Sequence, residues 1–160
     1  MNAVLPPAHR AGEPAESRAT GEPAESRATG ETTAVYEYAV IRVVPCVVRG
    51  EFLNVGVILY SQPHGYLCAR TELDEARLRA LDDTVDVEGV GKALGAYERA
   101  CSADAGPLRG ESPGSRFRWL TAPRSTVVQT GPVHAGLTGD PEAELECLLD
   151  RLVRRGSSTR

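Results

Sequence analysis

The fold of this chain is constrained most by two runs of β-branched and aromatic residues, YEYAVIRVV at 36–44 and FLNVGVILY at 52–60. Such residues favour strands, and a proline at position 45 ends the first run. The Arg49-Gly50 pair between the runs is typical of a turn, so the sequence predicts an antiparallel hairpin. A further turn at 61–65 leads to a third predicted strand at 66–71.

Side chains alternate between the two faces of a strand, so the hairpin also predicts which residues share a face. In the second strand, one predicted face is wholly aliphatic and consists of Leu53, Val55, Val57 and Leu59. The opposite face is less regular, because it includes a polar residue and a glycine.

Four positions in the hairpin form a candidate binding site. A glycine inside a strand often marks the close approach of a ligand or another backbone, which makes Gly56 a candidate. If Arg42 shares a face with Asn54, the two form a polar patch, and Glu51 could neutralise the arginine. The alternative is structural: Arg42 would pair with Glu51 or Glu37, and Gly56 would serve packing, because an inward-facing arginine needs a partner in either case.

Helical patterns follow the strands. Residues 73–81 predict a short helix, and Asp86 is a candidate N-cap for a second helix that runs to about residue 100. The second helix has one apolar stripe, made of Val87, Val90, Leu94, Tyr97 and Cys101. A last helix begins at Asp140 and Pro141. Its predicted buried stripe is Leu145, Leu148, Leu149 and Leu152.

The region before the last helix is less regular. Residues 102–115 are rich in glycine and proline and predict a loop, while 116–121 and 126–130 are predicted strands. The whole pattern predicts an α+β fold, in which a small, mostly antiparallel sheet packs with two to three helices. We expect one globular domain at 34–155.

The segment before the first strand has a different character. GEPAESRAT at 12–20 is repeated without change at 21–29. Two copies of so short and polar a unit do not build a stacked core, and they lack the apolar surface that offsets the entropy of ordering. We expect residues 1–33 and 156–160 to be disordered.

Charge and cysteine usage limit the class of function. The net charge is −4, and no basic helix or nucleic-acid motif is present, so we expect no nucleic-acid partner. The four cysteines form no CxxC pair and the histidines no ligand pattern, so we expect neither a metal nor another cofactor. No apolar run follows Met1, so we expect no membrane span and a cytoplasmic protein with reduced thiols.

The stretch APRSTVVQTGPVHAGL at 122–137 carries more hydrogen-bonding side chains than a connecting segment usually needs. Arg124, Ser125 and Thr126 could hold an oxyanion through the guanidinium, the hydroxyls and backbone N–H groups. Gln129 belongs to the same candidate site, and His134 could act as a general base if a nucleophile lay within reach. The alternative is that the arginine pairs with acidic surface and the histidine is a structural hydrogen-bonding group.

The runs at 36–45 and 51–59 and the stretch at 122–137 resemble the bacterial family known as domain of unknown function 3037. The resemblance runs from about residue 36 to 153 and includes LDEARLRAL at 73–81, RFRWL at 116–120 and DPEAELECLLDRLV at 140–153. It implies a small cytoplasmic bacterial protein of no assigned activity. It also implies a protein partner, because relatives are often encoded beside a HipA-like kinase.

Two classes of function therefore remain open. The first is a non-enzymatic regulatory or adaptor protein, because the chain has no Walker A, HExxH or nucleophile-elbow motif. The second is an anion- or phosphate-binding domain, or a small enzyme, that uses Arg42, Asn54, Arg124, Ser125 and His134. Convergence of these side chains in one cleft would favour the second, and an exposed apolar surface would favour the first.

Overall fold

The computed structural model describes residues 32–102 and 106–154. The chain forms strands β1 (Ala34–Val43), β2 (Leu53–Ser61) and β3 (Tyr66–Thr71), then helices α1 (Glu75–Leu81), α2 (Val87–Cys101) and α3 (Pro113–Leu120), then strand β4 (Val128–Thr138) and helix α4 (Pro141–Leu152). A 3-10 turn occupies Gly106–Leu108. The strands form one antiparallel sheet in the order β3-β2-β1-β4, which confirms the predicted α+β class.

The sheet is covered from both sides. On the three-helix face, α1, α2 and α3 bury one apolar cluster against the strands, with Leu78, Leu94, Phe117, Ile41 and Val55 among its members. On the α4 face, a second cluster consists of Leu145, Leu148, Leu149 and Val153 with Tyr36, Val57 and Leu59. Because both faces are buried, the central strands read as nearly continuous apolar runs.

A β-bulge in β2 changes the facing predicted by alternation. Val55 is the extra residue, since the positions on either side of it pair with two adjacent positions of β1. At the bulge, the alternation of side chains between the two faces of the strand shifts by one residue. Leu53 and Val55 therefore face the three helices, whereas Val57 and Leu59 face α4. The prediction that all four share one face was wrong.

Residues 116–121 were predicted as a strand but form most of α3. The hydroxyl of Ser112 accepts a hydrogen bond of 3.1 Å from the Ser115 N–H, and Pro113 occupies the first turn. Both features begin helices. Phe117 and Leu120, three positions apart, are then buried together. The described part of the chain thus has four α-helices rather than two or three.

Arg116 is a buried residue of α3 and has a structural role. Its Nη1 donates a hydrogen bond of 2.7 Å to the carbonyl oxygen of Cys101, at the end of α2. A cation is favourable there, because the carbonyls at a helix C-terminus carry partial negative charge. Arg116 is therefore part of the core.

Charged side chains bind α4 to the β3 edge of the sheet. Arg154 lies 2.5 Å from Glu146 and 2.6 Å from Glu72, while Arg70 lies 2.7 Å from Glu146 and also pairs with Glu142. The hydrogen bond from Arg154 is the main reason why the pKa of Glu146 is lowered. Glu146 thus links both arginines.

The predicted tails at 1–33 and 156–160 lie outside the described residues, apart from positions 32 and 33. None of the helices in the described part combines the length and the apolar character needed to cross a bilayer.

We predict opposite effects of alanine at two glycines. A Cβ at Gly56 would lie 2.7 Å from the carbonyl oxygen of Arg70, a backbone atom that cannot move aside, so Gly56→Ala should cost about 1–3 kcal/mol of unfolding free energy. A Cβ at Gly91 would meet nothing within 4 Å, so Gly91→Ala should add about 1 kcal/mol through helix propensity. Urea denaturation measures both, and equal effects would contradict the close approach of the β3 backbone to Gly56.

We also predict that stability depends on pH through Glu146. A carboxyl group whose pKa is lowered in the folded state stabilises the protein above its unfolded pKa, about 4.3 for glutamate, and loses that effect as the pH falls through the folded pKa. The urea midpoint should therefore fall in acid, and Glu146→Gln should flatten this part of the profile. The control is Glu111→Gln, an exposed side chain without an ion pair among the described residues. An unchanged profile in Glu146→Gln would count against the network.

Candidate functional site

An apolar groove lies on the three-helix face, between α2 and the segment that joins α3 to β4. Its volume is about 1130 Å³, slightly above the range typical of ligand pockets, about 300–1,000 Å³. Trp119 lies on the wall opposite α2 and is 47 % exposed. The same wall includes Leu120, Arg124, Thr126, Val127 and Val128.

The other wall of the groove is a row of small residues on α2. Gly89, Ala93, Ala96 and Ala100 all line the groove and are spaced by four, three and four positions. This spacing places them on one side of the helix. Side chains this small leave the space that a larger residue would fill. The sequence reasoning missed this row, although its period was visible beside the apolar stripe of the same helix.

Trp119 and Arg124 form a stacked pair at the groove. The guanidinium carbon of Arg124 lies 4.0 Å from the centroid of the Trp119 ring, and its Nη2 donates a hydrogen bond of 2.8 Å to the Trp119 carbonyl oxygen. The stack and the hydrogen bond fix the side chain. Arg124 thus presents a positioned positive charge beside an apolar surface.

Only some of the other charged side chains that line the groove have a hydrogen-bonding or ion-pair partner. Asp86 caps α2 by accepting from the Gly89 N–H at 3.0 Å, and Asp82 pairs with Arg49 at 3.1 Å. Hydrogen bonds from Thr84 and the charge of Arg49 lower the pKa of Asp82. Within the described residues, Arg99 and Arg124 have no carboxylate partner. Two arginines of the groove are therefore available to pair with a carboxylate of a ligand.

The other polar residues of the 122–130 segment mainly hold its backbone in shape. The Thr126 hydroxyl donates a hydrogen bond of 2.6 Å to the Val128 carbonyl, and the Gln129 amide donates one of 3.2 Å to the Thr126 carbonyl. Ser125 is exposed. Of the residues predicted to hold an oxyanion, Arg124 and Thr126 line the groove, and the threonine hydroxyl is already engaged.

His134 lies on the opposite side of the sheet. It pairs in register with Tyr38, and the two rings are 5.3 Å apart between centroids. Tyr38 packs against the apolar cluster beneath α4. The histidine thus shares the α4 face and does not line the groove, so it cannot serve as a general base for a ligand bound there.

Arg42 and Asn54 do share a face, as the polar-patch hypothesis requires. They are register partners, and the Asn54 amide donates a hydrogen bond of 3.0 Å to the Leu152 carbonyl, which places both on the α4 face. The guanidinium carbon of Arg42 lies 4.3 Å from the centroid of the Phe52 ring. Its other neighbour is Gly131, where a Cβ would come within 2.8 Å of the same carbon.

Neither predicted partner of Arg42 is used. Glu51 pairs with Arg49 at 3.1 Å, and Glu37 lies 3.4 Å from Arg118. The expected neutralisation of Arg42 was therefore wrong, because the turn at 47–50 brings the side chain of Arg49 to Glu51 instead. Gly56 fits the packing alternative, since the backbone of β3 fills the space next to it.

The candidate residues thus divide between two faces. Arg124 and Thr126 belong to the groove, whereas Arg42, Asn54 and His134 lie across the sheet beside α4. No cluster of three or more His, Cys, Asp or Glu side chains suited to a metal ion occurs within residues 32–102 and 106–154. All four cysteines are free thiols, and burial raises the pKa of Cys101 to about 12.

Comparison with known proteins identifies a family but no characterised relative. The model of the family described as "Protein of unknown function (DUF3037)" matches residues 38–153, which confirms the resemblance expected from the sequence blocks. No curated protein and no solved structure matches the chain.

We predict that Arg124 contributes modestly to stability. Arg124→Ala removes the stack on Trp119 and one hydrogen bond, so the free energy of unfolding should fall by about 1 kcal/mol. Trp119 is the only tryptophan, so its emission reports both the stack and the unfolding transition. Arg118→Ala, which breaks the ion pair between α3 and Glu37 of β1 near the surface, is the control and should change little. A loss several times larger would make Arg124 a structural brace.

Proposed function

The chain belongs to the DUF3037 family, and because the family's description assigns no activity, we propose its function from the geometry: a non-enzymatic adaptor or regulatory protein that binds a segment of a partner protein in the groove beside α2. The observation that carries the proposal is the groove itself, in which Trp119 is 47 % exposed and lies opposite a row of alanines on α2. Large exposed aromatic side chains in apolar pockets are typical anchors of protein interfaces.

The distribution of polar groups also favours binding over catalysis. No histidine or cysteine is among the residues that line the groove. Asp86 is already used to cap a helix, and Asp82 is paired with Arg49. A catalytic site needs a nucleophile or base within hydrogen-bond reach of a reacting atom. Here the candidate base His134 and the candidate anion ligand Arg124 lie on opposite faces of the sheet.

The chemistry of the groove defines the partner segment. Apolar side chains of the segment would pack on Trp119 and the alanine row, and a carboxylate next to them would pair with Arg124 or Arg99. We therefore propose an amphipathic segment with acidic residues. A HipA-like kinase is the first partner to test, because family members are often encoded beside one. Free thiols fit a cytoplasmic setting, which we include in the proposal.

Anion binding at Arg42 is the second candidate. Its guanidinium is held between Phe52 and Gly131 and has no carboxylate partner in the described part of the chain. A fixed arginine of this kind can bind carboxylate or phosphate through two parallel hydrogen bonds.

We predict that Ala96→Glu abolishes partner binding. Ala96 is exposed and lines the groove, so the substitution introduces a bulky negative charge there without disturbing the core. The matched control is Ala76→Glu, an exposed alanine on α1 that does not line the groove. Tagged full-length protein serves as bait in lysate of the source organism. One protein should be retained stoichiometrically by the wild type and by Ala76→Glu, and lost with Ala96→Glu.

The retained protein is then identified by mass spectrometry and titrated, as a purified protein, into this chain labelled with 5-fluorotryptophan. Because Trp119 is the only tryptophan, a shift of its single fluorine resonance places the contact in the groove. The proposal would be contradicted if both variants retained the partner protein equally, or if the wild-type bait retained no partner protein. A bare bait would direct attention to Arg42, where phosphate titration of wild type and Arg42→Ala tests the second candidate.

A further inference from the structure

The outer edge of β4 is open and unusually neutral. The strand order leaves β4 at one edge of the sheet, and no described strand pairs with its outer side. The chain has no Asp, Glu, Lys or Arg from position 125 to 139. Exposed edges are normally protected by charged side chains, because their free N–H and C=O groups attract other strands. The opposite edge, β3, follows this rule through Arg70 and its ion pairs.

An apolar strip adjoins this edge on the three-helix face. Val35 of β1 pairs with Leu137 of β4, and they are 53 % and 67 % exposed. Val133 on the same face is 42 % exposed. Glu37 lies between them on the same face and pairs with Arg118 of α3 at 3.4 Å, but the three apolar side chains themselves stay exposed. A neutral strand edge beside an exposed apolar strip is the surface that strand addition buries.

We propose that β4 pairs with β4 of a second copy of this chain, antiparallel and about a two-fold axis at Ala135, to form a continuous eight-stranded sheet. Such an interface is isologous, so each residue must suit its two-fold mate. In this register Val133 lies opposite Leu137 of the second copy, apolar against apolar. His134 lies opposite Gly136, beside which the Tyr36 ring packs so closely that a Cβ at position 136 would come within 2.6 Å of it.

Two features of β4, its bulge and its last residue, favour this register over the two neighbouring ones. Pro132 lacks an N–H and lies at the bulge in the β1–β4 ladder, so a regular outer ladder begins after it. The strand ends at Thr138. A two-fold axis at His134 would bring Pro132 into the ladder, and one at Gly136 would pair Val133 with a position beyond the strand end. The axis at Ala135 uses the regular segment 133–137 in full.

A second copy suits this edge better than an unrelated strand. Two neutral edges meet without charge repulsion, and the two-fold register pairs large apolar residues at both ends of the 133–137 segment, with Ala135 opposite itself and His134 opposite Gly136. Cross-strand pairs of large apolar residues stabilise antiparallel ladders, whereas like charges directly opposite each other destabilise them.

The test is a charge swap across the two-fold axis, measured by sedimentation velocity over a concentration series of the full chain. The wild type should sediment with twice the mass of one chain. Val133→Lys and Leu137→Glu should each give monomers, because each places charges against an apolar neighbour. The double variant should be dimeric again, since every introduced lysine then faces an introduced glutamate of the other copy. Val48→Lys, at a valine 96 % exposed in the β1–β2 connection, should remain dimeric.

Monomeric wild-type protein would overturn the proposal, as would a dimer that both single variants leave intact or a double variant that stays monomeric. If a charged variant fails to fold, as judged by circular dichroism, cysteine cross-linking replaces it. In a Cys147→Ser background, which removes an exposed thiol, Ala135→Cys should cross-link on oxidation and Val48→Cys should not. Equal cross-linking of both would also overturn the proposal.

Discussion

The pairing of β1 with β2 is the constraint on which the rest of the structure depends. These strands are central in the sheet, and the bulge at Val55 lets β2 direct large aliphatic side chains first to one helical layer and then to the other. One hairpin thus forms the floor of both apolar clusters. Without the bulge, strict alternation would give one face of β2 four aliphatic side chains and leave the other face with Asn54, Gly56 and too little apolar surface to hold a helix.

The unequal layers explain where surface remains open. α4 lies over β2 and β3, where Asn54 and the charges around Glu146 hold it, so the β1–β4 half of that face keeps Arg42 and His134 accessible. On the other face, α2 meets the α3–β4 segment through small side chains, and a groove remains. Binding surfaces here result from incomplete coverage of the sheet, and they differ in chemistry because the covering elements differ.

The open surfaces suit different partners. The groove has an aromatic anchor, an alanine wall and two arginines without carboxylate partners in the described residues, which together fit an amphipathic acidic segment. The β4 edge is neutral and self-complementary, which fits a second copy. Both lie outside the hydrogen-bonded ladders of the sheet, so a partner can bind at either one without opening it.

The sequence by itself determined the elements whose signals are local: the strand pair with its positive-φ glycine at position 50, the N-caps Asp86 and Asp140, and the leucine stripe of α4. It offered a shared face for Arg42 and Asn54 only as a condition, which the register of the hairpin meets, and it assigned the arginine the wrong partner. The sequence did not predict features that depend on contacts between elements. The bulge depends on how two strands meet, and α3 depends on a cap four residues before RFRWL. Only the tertiary structure separated Arg124 from His134. Arg124 precedes β4 on the side of the groove, whereas His134 lies within β4, where the bulge and the alternation of the strand turn its side chain to the α4 face. Spacing in sequence does not reveal where the bulge lies.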